Sequence, residues 1–354
     1  MHIEPSPNRT ANLIVGVDVG GSKVIAGIFD GSGPVRRLHV SRRSTKPERG
    51  PAAVAARIAR CVEDVVDEVD ATLADVRAVG VGISGLVDAK GGRVRFSPRL
   101  GWTDVPLSEQ LRSLLGLPVF VENECNLSTV GVYATELPDK PARMLAVFIG
   151  NSVGAGMMVG GSLCRGFSLA AGELGHMVVD PLGPPCRCGS RGCFEVLASR
   201  SSIYERIRAG IAAGRQTQLS EVPERGGSWR GKELRRAFQR GDPLVRESVS
   251  AAAHWIGVGI GTLARSVRPE VLVLGGSLME GLGDSMIEAV VRSAADPATG
   301  QPLHGVRIMV SSLGDQACIQ GAAWYASTLT QPTRDALEDR VYLFRDGAPW
   351  AQPE

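Results

Sequence analysis

The chain has 354 residues, 44% of them apolar and 21% charged, enough length for two domains with real cores and an ordinary soluble composition. A formal charge of +2, with no basic run longer than pairs such as Arg36-Arg37 and Arg42-Arg43, does not point to nucleic acid as a partner. Seven cysteines, an odd number, suit a secreted disulfide framework poorly, and Met1-His2-Ile3-Glu4-Pro5 opens neither a signal peptide nor a membrane span. The expected compartment is the cytoplasm, with no membrane partner.

Residues 1–11 are polar, carry two prolines and read as a loose leader. Order is expected from Leu13, where Leu13 to Val19 reads as a buried strand that breaks at Gly20-Gly21. Apolar alternation resumes from Ser22 to Phe29, so the first pair is a hairpin. Pro51 to Leu73 has helical spacing, with Val54, Ile58, Val62, Val65, Val66 and Val69 on one face. A strand follows at Ala78 to Ile83, then a loop over Ser84 to Asp88, a helix over Leu107 to Leu115, and a strand from Val119 to Val121 ending in Glu122-Asn123-Glu124. A helix is expected from Leu127.

The pattern then starts again. Met144 to Ile149 is a strand running into the glycine-rich Gly150 to Gly156 and then Met157 to Val159, a second hairpin of the first kind. Helices are expected from Ser201 to about Gly214 and from Ala251 to Arg265, with a strand at Val271 to Leu274 ending in Gly275-Gly276. Residues 220–232 read as an exposed loop, and those after Thr330 as a polar tail. Strand-helix alternation in two similar halves implies an α/β fold around a cleft. The first half is expected over 12–127, completed by a helix near 317–330; the second runs over 128–316, and the tail occupies 331–354.

Two kinds of chemistry stand out. His176, Cys186, Cys188 and Cys193 offer one imidazole and three thiols, and Gly189 and Gly192 let the backbone fold so that these converge on one ion. A Cys3His set reads as structural zinc, because four protein ligands leave no open position; disulfides or scattered buried thiols are the alternatives. The glycine turns at strand ends suit close approach to phosphate, although Gly20-Gly21-Ser22-Lys23 is not a P-loop, since its lysine follows the serine and a strand follows both. Asp18 before that turn is placed to hold hydrated magnesium beside a phosphate, its plainer role being that of a turn former.

Asp18-Val-Gly-Gly-Ser-Lys23, Glu122-Asn123, Gly172-Glu-Leu-Gly-His176 and Cys186-Arg-Cys-Gly-Ser-Arg-Gly-Cys-Phe-Glu195 together resemble the ROK family of repressors, open-reading-frame proteins and sugar kinases, over residues 12–328. That resemblance implies a two-domain, ribonuclease-H-like fold of the actin-like ATPase group, closing on ATP and a hexose, with the zinc loop shaping the sugar pocket. It implies that Asn123, Glu173, His176 and Glu195 hydrogen-bond sugar hydroxyls and that Asp18 positions magnesium. Gly20, Gly21, Ser22 and Lys23 would approach the terminal phosphates, with Gly150 and Gly154 in a second phosphate loop and Gly275 and Gly276 near the adenosine. Dimers or tetramers are implied as well.

Three positions depart from the family pattern. Glu124 stands where an aspartate base is expected, which lengthens its reach by one methylene. Gly150-Asn151-Ser152 replaces Gly-Thr-Gly and loses a hydroxyl at the threonine position. Arg99 replaces a sugar-contacting asparagine; it is expected to point outward as a solvated charge, whereas inward it would favour an acidic or phosphorylated ligand. Cys125 is expected to be a small buried filler. The expected activity is phosphorylation of a hexose, of glucose or N-acetylhexosamine type, at the 6-hydroxyl, with Glu124 as base. The alternative is a catalytically impaired sugar or nucleotide sensor. Repressors of the family carry a winged helix-turn-helix before the first strand, where only residues 1–11 stand here, so direct DNA binding is not expected.

Overall fold

A computed structural model describes residues 12–31, 36–166, 174–219, 229, 231–295, 303 and 305–330. The expected leader and tail lie outside these residues, as does Glu173.

Strands β1 (Leu13–Val19) and β2 (Lys23–Asp30) form the expected hairpin, and β3 (Arg36–Ser44) adds an antiparallel edge. The apolar run of β1 is buried because both faces of the sheet are covered. Helix α1 (Pro51–Asp67) lays Val54, Ile58, Val62 and Val65 against that sheet. It stops short of Leu73, because Asp70 turns left-handed at φ 51° and Ala71 N–H closes on Val66 O at 3.2 Å. Strand β4 (Val76–Ile83) joins β1 in parallel.

The loop expected over Ser84 to Asp88 instead ends in strand β5 (Leu86–Asp88), which forms a small antiparallel sheet with β6 (Arg93–Ser97) and β7 (Trp102–Val105). Trp102 is buried at its base, and Ser97 Oγ donates to Ser84 O at 2.6 Å, which fixes the Ser97–Leu100 turn. Helix α2 (Leu107–Leu115) ends at Gly116 in the left-handed region, and β8 (Val119–Asn123) completes the first sheet in parallel with β4. Helix α3 (Glu124–Thr135) begins three residues earlier than the apolar pattern indicates, because Asn123 caps it.

The second sheet repeats the first. Strands β9 (Arg143–Ile149), β10 (Val153–Val159) and β11 (Ser162–Leu163) form the antiparallel part. After α4 (Phe194–Ala198), α5 (Arg200–Ala212), α6 (Gly231–Gln239) and α7 (Pro243–Val267) comes β12 (Val271–Gly275), parallel to β9. Helix α8 (Ser277–Ala294) precedes β13 (Arg307–Val310), and α9 (Gln316–Leu329) ends the described chain. Strand orders β3-β2-β1-β4-β8 and β11-β10-β9-β12-β13 are the same path walked twice, so the two expected α/β halves are present as mixed sheets.

The expected exposed loop over 220–232 needs correction at its end. Residues 220–228 and 230 lie outside the described set, but Trp229 is buried, its carbonyl accepts from Tyr204 Oη at 2.7 Å, and α6 begins at Gly231. Helix α9 packs back on β1 and β4 at backbone distance. A β-carbon at Gly16 would lie 1.9 Å from Ile319 O and one at Gly80 2.0 Å from Ala322 O. Ile14, Ile25, Phe29 and Ala78 are thereby covered by Ile319, Ala323 and Ala326.

Candidate active site and metal loop

A cavity of about 220 Å³ opens among the ends of β1, β9 and β12 and the starts of α3 and α9, and it gathers side chains that are distant in sequence. Asp18 and Glu124 line it together with Asp315 and Cys318, while Gly150, Asn151, Ser152 and Gly154 of the second glycine turn, Gly276, Arg99 and Arg200 supply other parts of the wall. Each half contributes at the ends of its central strands, where the backbone leaves the sheet and side chains are free to turn toward a ligand.

Charge is concentrated here. Burial pushes the Asp18 carboxyl up to about 7, and the nearby Glu124 charge adds to the effect. A hydrogen bond with Cys318 opposes the rise, Asp315 adds to it, and Lys23 opposes it. Lys23 itself is ion-paired with Asp315, so the first glycine turn is tied to the start of α9. Three carboxylates crowded in this way are a donor set that a hard cation relieves, and their oxygen chemistry fits magnesium.

The second glycine turn is held by two arginines. Arg99 Nη2 donates to Ser152 Oγ at 2.6 Å, and Arg200 Nε and Nη2 both donate to Asn151 Oδ1, at 2.9 and 2.7 Å. Ser201 Oγ donates to Asn151 O at 2.7 Å, and Arg200 N–H donates to Gly150 O at 2.8 Å. Arg99 therefore does not point outward into solvent alone, as expected, but lies along the cavity wall. Cys125 also departs from expectation, since it is only half-buried and lines the cavity. Arg200, Asp315 and Cys318 escaped the sequence reading; a Gly314-Asp315 turn directly before an apolar helix was the one available signal.

Among the expected phosphate-side residues, Asp18, Gly150, Gly154 and Gly276 line this cavity, whereas Gly20, Gly21, Ser22, Lys23 and Gly275 do not. Of the expected sugar-side residues, none of Asn123, His176 and Glu195 lines it. Asn123 caps α3, its Oδ1 accepting from Cys125 N–H at 2.8 Å and its Nδ2 donating to Gly85 O at 2.9 Å. Beside it lies a buried ion pair. Arg165 Nε donates to Glu122 Oε2 at 2.6 Å, and Glu122 Oε1 accepts from Asn123 N–H at 2.8 Å and Asn126 Nδ2 at 3.1 Å. Arg165 also donates to Tyr325 Oη at 3.1 Å and lies over that ring, so the pair joins β8, the exit of β11 and α9.

The metal loop lies beside β10. The ligand atoms of His176, Cys186, Cys188 and Cys193 all fall within 4.8 Å of one another. Cys186 Sγ lies 3.6 Å from His176 Nδ1, and Cys188 Sγ 3.6 Å from Cys193 Sγ. A tetrahedral zinc shell has edges of roughly 3.6–3.8 Å, so the spacing fits that ion; a disulfide, at roughly 2 Å between sulfurs, does not. The fold-back rests on Gly192, at φ 63°, where a β-carbon would collide with Asp180 O at 1.5 Å. The loop is joined to the second glycine turn through Glu195, whose Oε2 accepts from Val153 N–H at 3.2 Å. Among the described residues no helix is long and apolar enough to cross a membrane.

The ROK family profile matches residues 14–328, and the chain belongs to the ROK family. Within it the likeness is to glucokinases: over 317 residues the chain is 31% identical to a glucokinase of Streptomyces coelicolor, spanning 88% of this chain and 96% of that one. The structure of a ROK family glucokinase from Streptomyces griseus in complex with glucose and AMPPNP matches with a TM-score of 0.76 and 30% identity, over 89% of this chain and 99% of that one. A ROK hexokinase from Thermus thermophilus matches at 0.69 and 31%, over 89% and 97%.

Proposed function

We propose that this chain transfers the terminal phosphoryl group of ATP to the 6-hydroxyl of a hexose, of glucose or N-acetylhexosamine type. The observation that carries the reading is the pair of carboxylates, Asp18 and Glu124, on the wall of a cavity that also contains the second glycine turn. In the reaction the hydroxyl oxygen bonds to the γ-phosphorus as the bond to the ADP oxygen breaks, and Glu124 takes the hydroxyl proton. Asp18, with Asp315 nearby, would hold magnesium, which when bound neutralises charge on the phosphates. Backbone N–H groups of the glycine turns would approach the phosphates, with Gly275 and Gly276 beside the adenosine.

The sugar would lie toward Asn123, Glu195 and His176, with Glu173 completing the set. Zinc in the Cys3His shell would hold that side of the pocket in shape, because Glu195 links the loop to Val153. The division into two lobes, at 12–127 with α9 and 128–316, with a cleft that closes on both ligands and assembly into dimers or tetramers, belongs to the same reading, as does a cytoplasmic setting.

Coupled ADP release with ATP, magnesium and a panel of hexoses tests it. Glu124→Ala should lower kcat by at least about a hundredfold, and Glu124→Asp should keep measurable turnover. Sugar binding without turnover on any hexose would overturn the kinase reading in favour of a non-catalytic sensor. Undiminished turnover in Glu124→Ala would overturn the base assignment alone.

A further inference from the structure

Two of the departures from the family pattern, far apart in sequence, are bonded to each other. Arg99 stands where an asparagine is expected and Ser152 where a glycine is expected, and the guanidinium of the first donates to the hydroxyl of the second at 2.6 Å. Arg99 starts against the first glycine turn, since a β-carbon at Gly21 would lie 3.7 Å from Arg99 Cβ, and its tip ends on the second. It thus runs from one phosphate turn to the other along the wall of the cavity that holds Asp18 and Glu124.

The charge around it decides what it does. An anion entering beside the second turn meets the carboxylates of Asp18 and Glu124, so a cationic side chain adds to the charge that the proposed magnesium would supply. Lys23, the cation of the first turn, is committed to Asp315. Arg200 spends two donors on Asn151. Arg99 gives one donor to Ser152, and among the described residues no carboxylate pairs with it, which leaves most of a five-donor planar fork for a ligand. Its tip is held by Ser152 on the second glycine turn, the turn that the phosphoryl-transfer reading gives to phosphate, so on that reading the ligand group it faces is a phosphate.

We propose that Arg99, latched by Ser152, is the clamp that grips the terminal phosphoryl group of the donor at the second glycine turn. Arg99 exchanges no proton; it follows the charge on the phosphoryl oxygens as the group passes from ADP to the acceptor oxygen. Ser152 is a positioning residue that fixes the guanidinium. The identity of the ligand rests on the phosphoryl-transfer reading above, so the test is built to separate the two.

Calorimetric titration of AMPPNP and of ADP, each with magnesium, into wild type, Arg99→Ala, Arg99→Lys and Ser152→Ala reads the clamp without turnover. Arg99→Ala should weaken AMPPNP about tenfold and leave ADP within about twofold, because only the former carries the terminal phosphate. Arg99→Lys should recover part of the loss, and Ser152→Ala should show a smaller loss of the same kind. In coupled assays kcat of Arg99→Ala should fall by about a hundredfold or more with the sugar KM little changed. Arg99 is exposed, so melting temperature should stay at the wild-type value and report a folded variant. Wild-type affinity for both nucleotides in Arg99→Ala, or a loss confined to sugar binding, overturns the clamp. Absence of hexose turnover in wild type sinks the kinase reading, and the AMPPNP–ADP contrast still decides the clamp.

Discussion

Asp18 shows how one carboxylate on the cavity wall can be costly to the fold. Its folded value of about 7 lies above the ordinary 3.8, so between these values the native chain binds a proton that the unfolded chain has released. Stability therefore falls as pH rises through that window. In magnesium-free buffer, Asp18→Asn should melt above wild type at pH 8, by on the order of a few kcal/mol, and the gap should close toward pH 4. Magnesium should then stabilise wild type and leave the variant unmoved; a variant that melts below wild type at pH 8 would mean that the carboxylate is not under repulsion. Asp18 was legible from its place before a glycine turn. Arg99 was not, because what turns it along the cavity is Ser152, and no local pattern connects residues so far apart in the chain.

Among the elements, the junction of β8 and α3 carries the most consequence for the site, since Glu122, Asn123 and Glu124 follow one another there with three different tasks. Glu122 is buried against Arg165, Asn123 caps the helix, and Glu124 reaches the cavity. Arg165→Ala would leave the Glu122 charge buried without its partner and should destabilise by about 3–5 kcal/mol in urea denaturation. Combining Arg165→Met with Glu122→Gln should restore part of that, since the second change removes the stranded charge; a double variant as unstable as the sum of the singles would argue against a specific pair. Long apolar runs such as β1 and the Ala251–Arg265 part of α7 were readable because burial dictates their pattern, whereas the start of α7 at Pro243, capped by Asp242, was not. The short strands β5, β6 and β7 were not: their exposed positions carry Arg93 and Arg95 paired with Asp104, so alternation is weak in sequence and the pairing itself supplies the order.

For the whole molecule, the metal loop is the part whose chemistry and geometry agree most closely with the residues that announced it. Elemental analysis should return about one zinc per chain, and Cys193→Ser should lower both that content and sugar affinity, because Cys193 leads into α4 and Glu195. A folded, metal-free protein with four free ligands and unchanged sugar affinity would separate the loop from the pocket. The doubled strand order was visible in the repeat of hairpin and glycine turn, and the helix expected near 317–330 with the first half corresponds to α9; the face it covers was not visible, since its small apolar residues Ala317, Ala322, Ala323 and Ala326 give no direction along the chain.

That last helix sets an order in time. Ile14, Ile25, Phe29 and Ala78 emerge early from the ribosome, yet the residues that cover them, Ile319, Ala323 and Ala326, are made about 240 residues or more after the last of these. Throughout synthesis of the second half, the first sheet holds one greasy face bare, and only the arrival of α9 seals it against neighbouring chains.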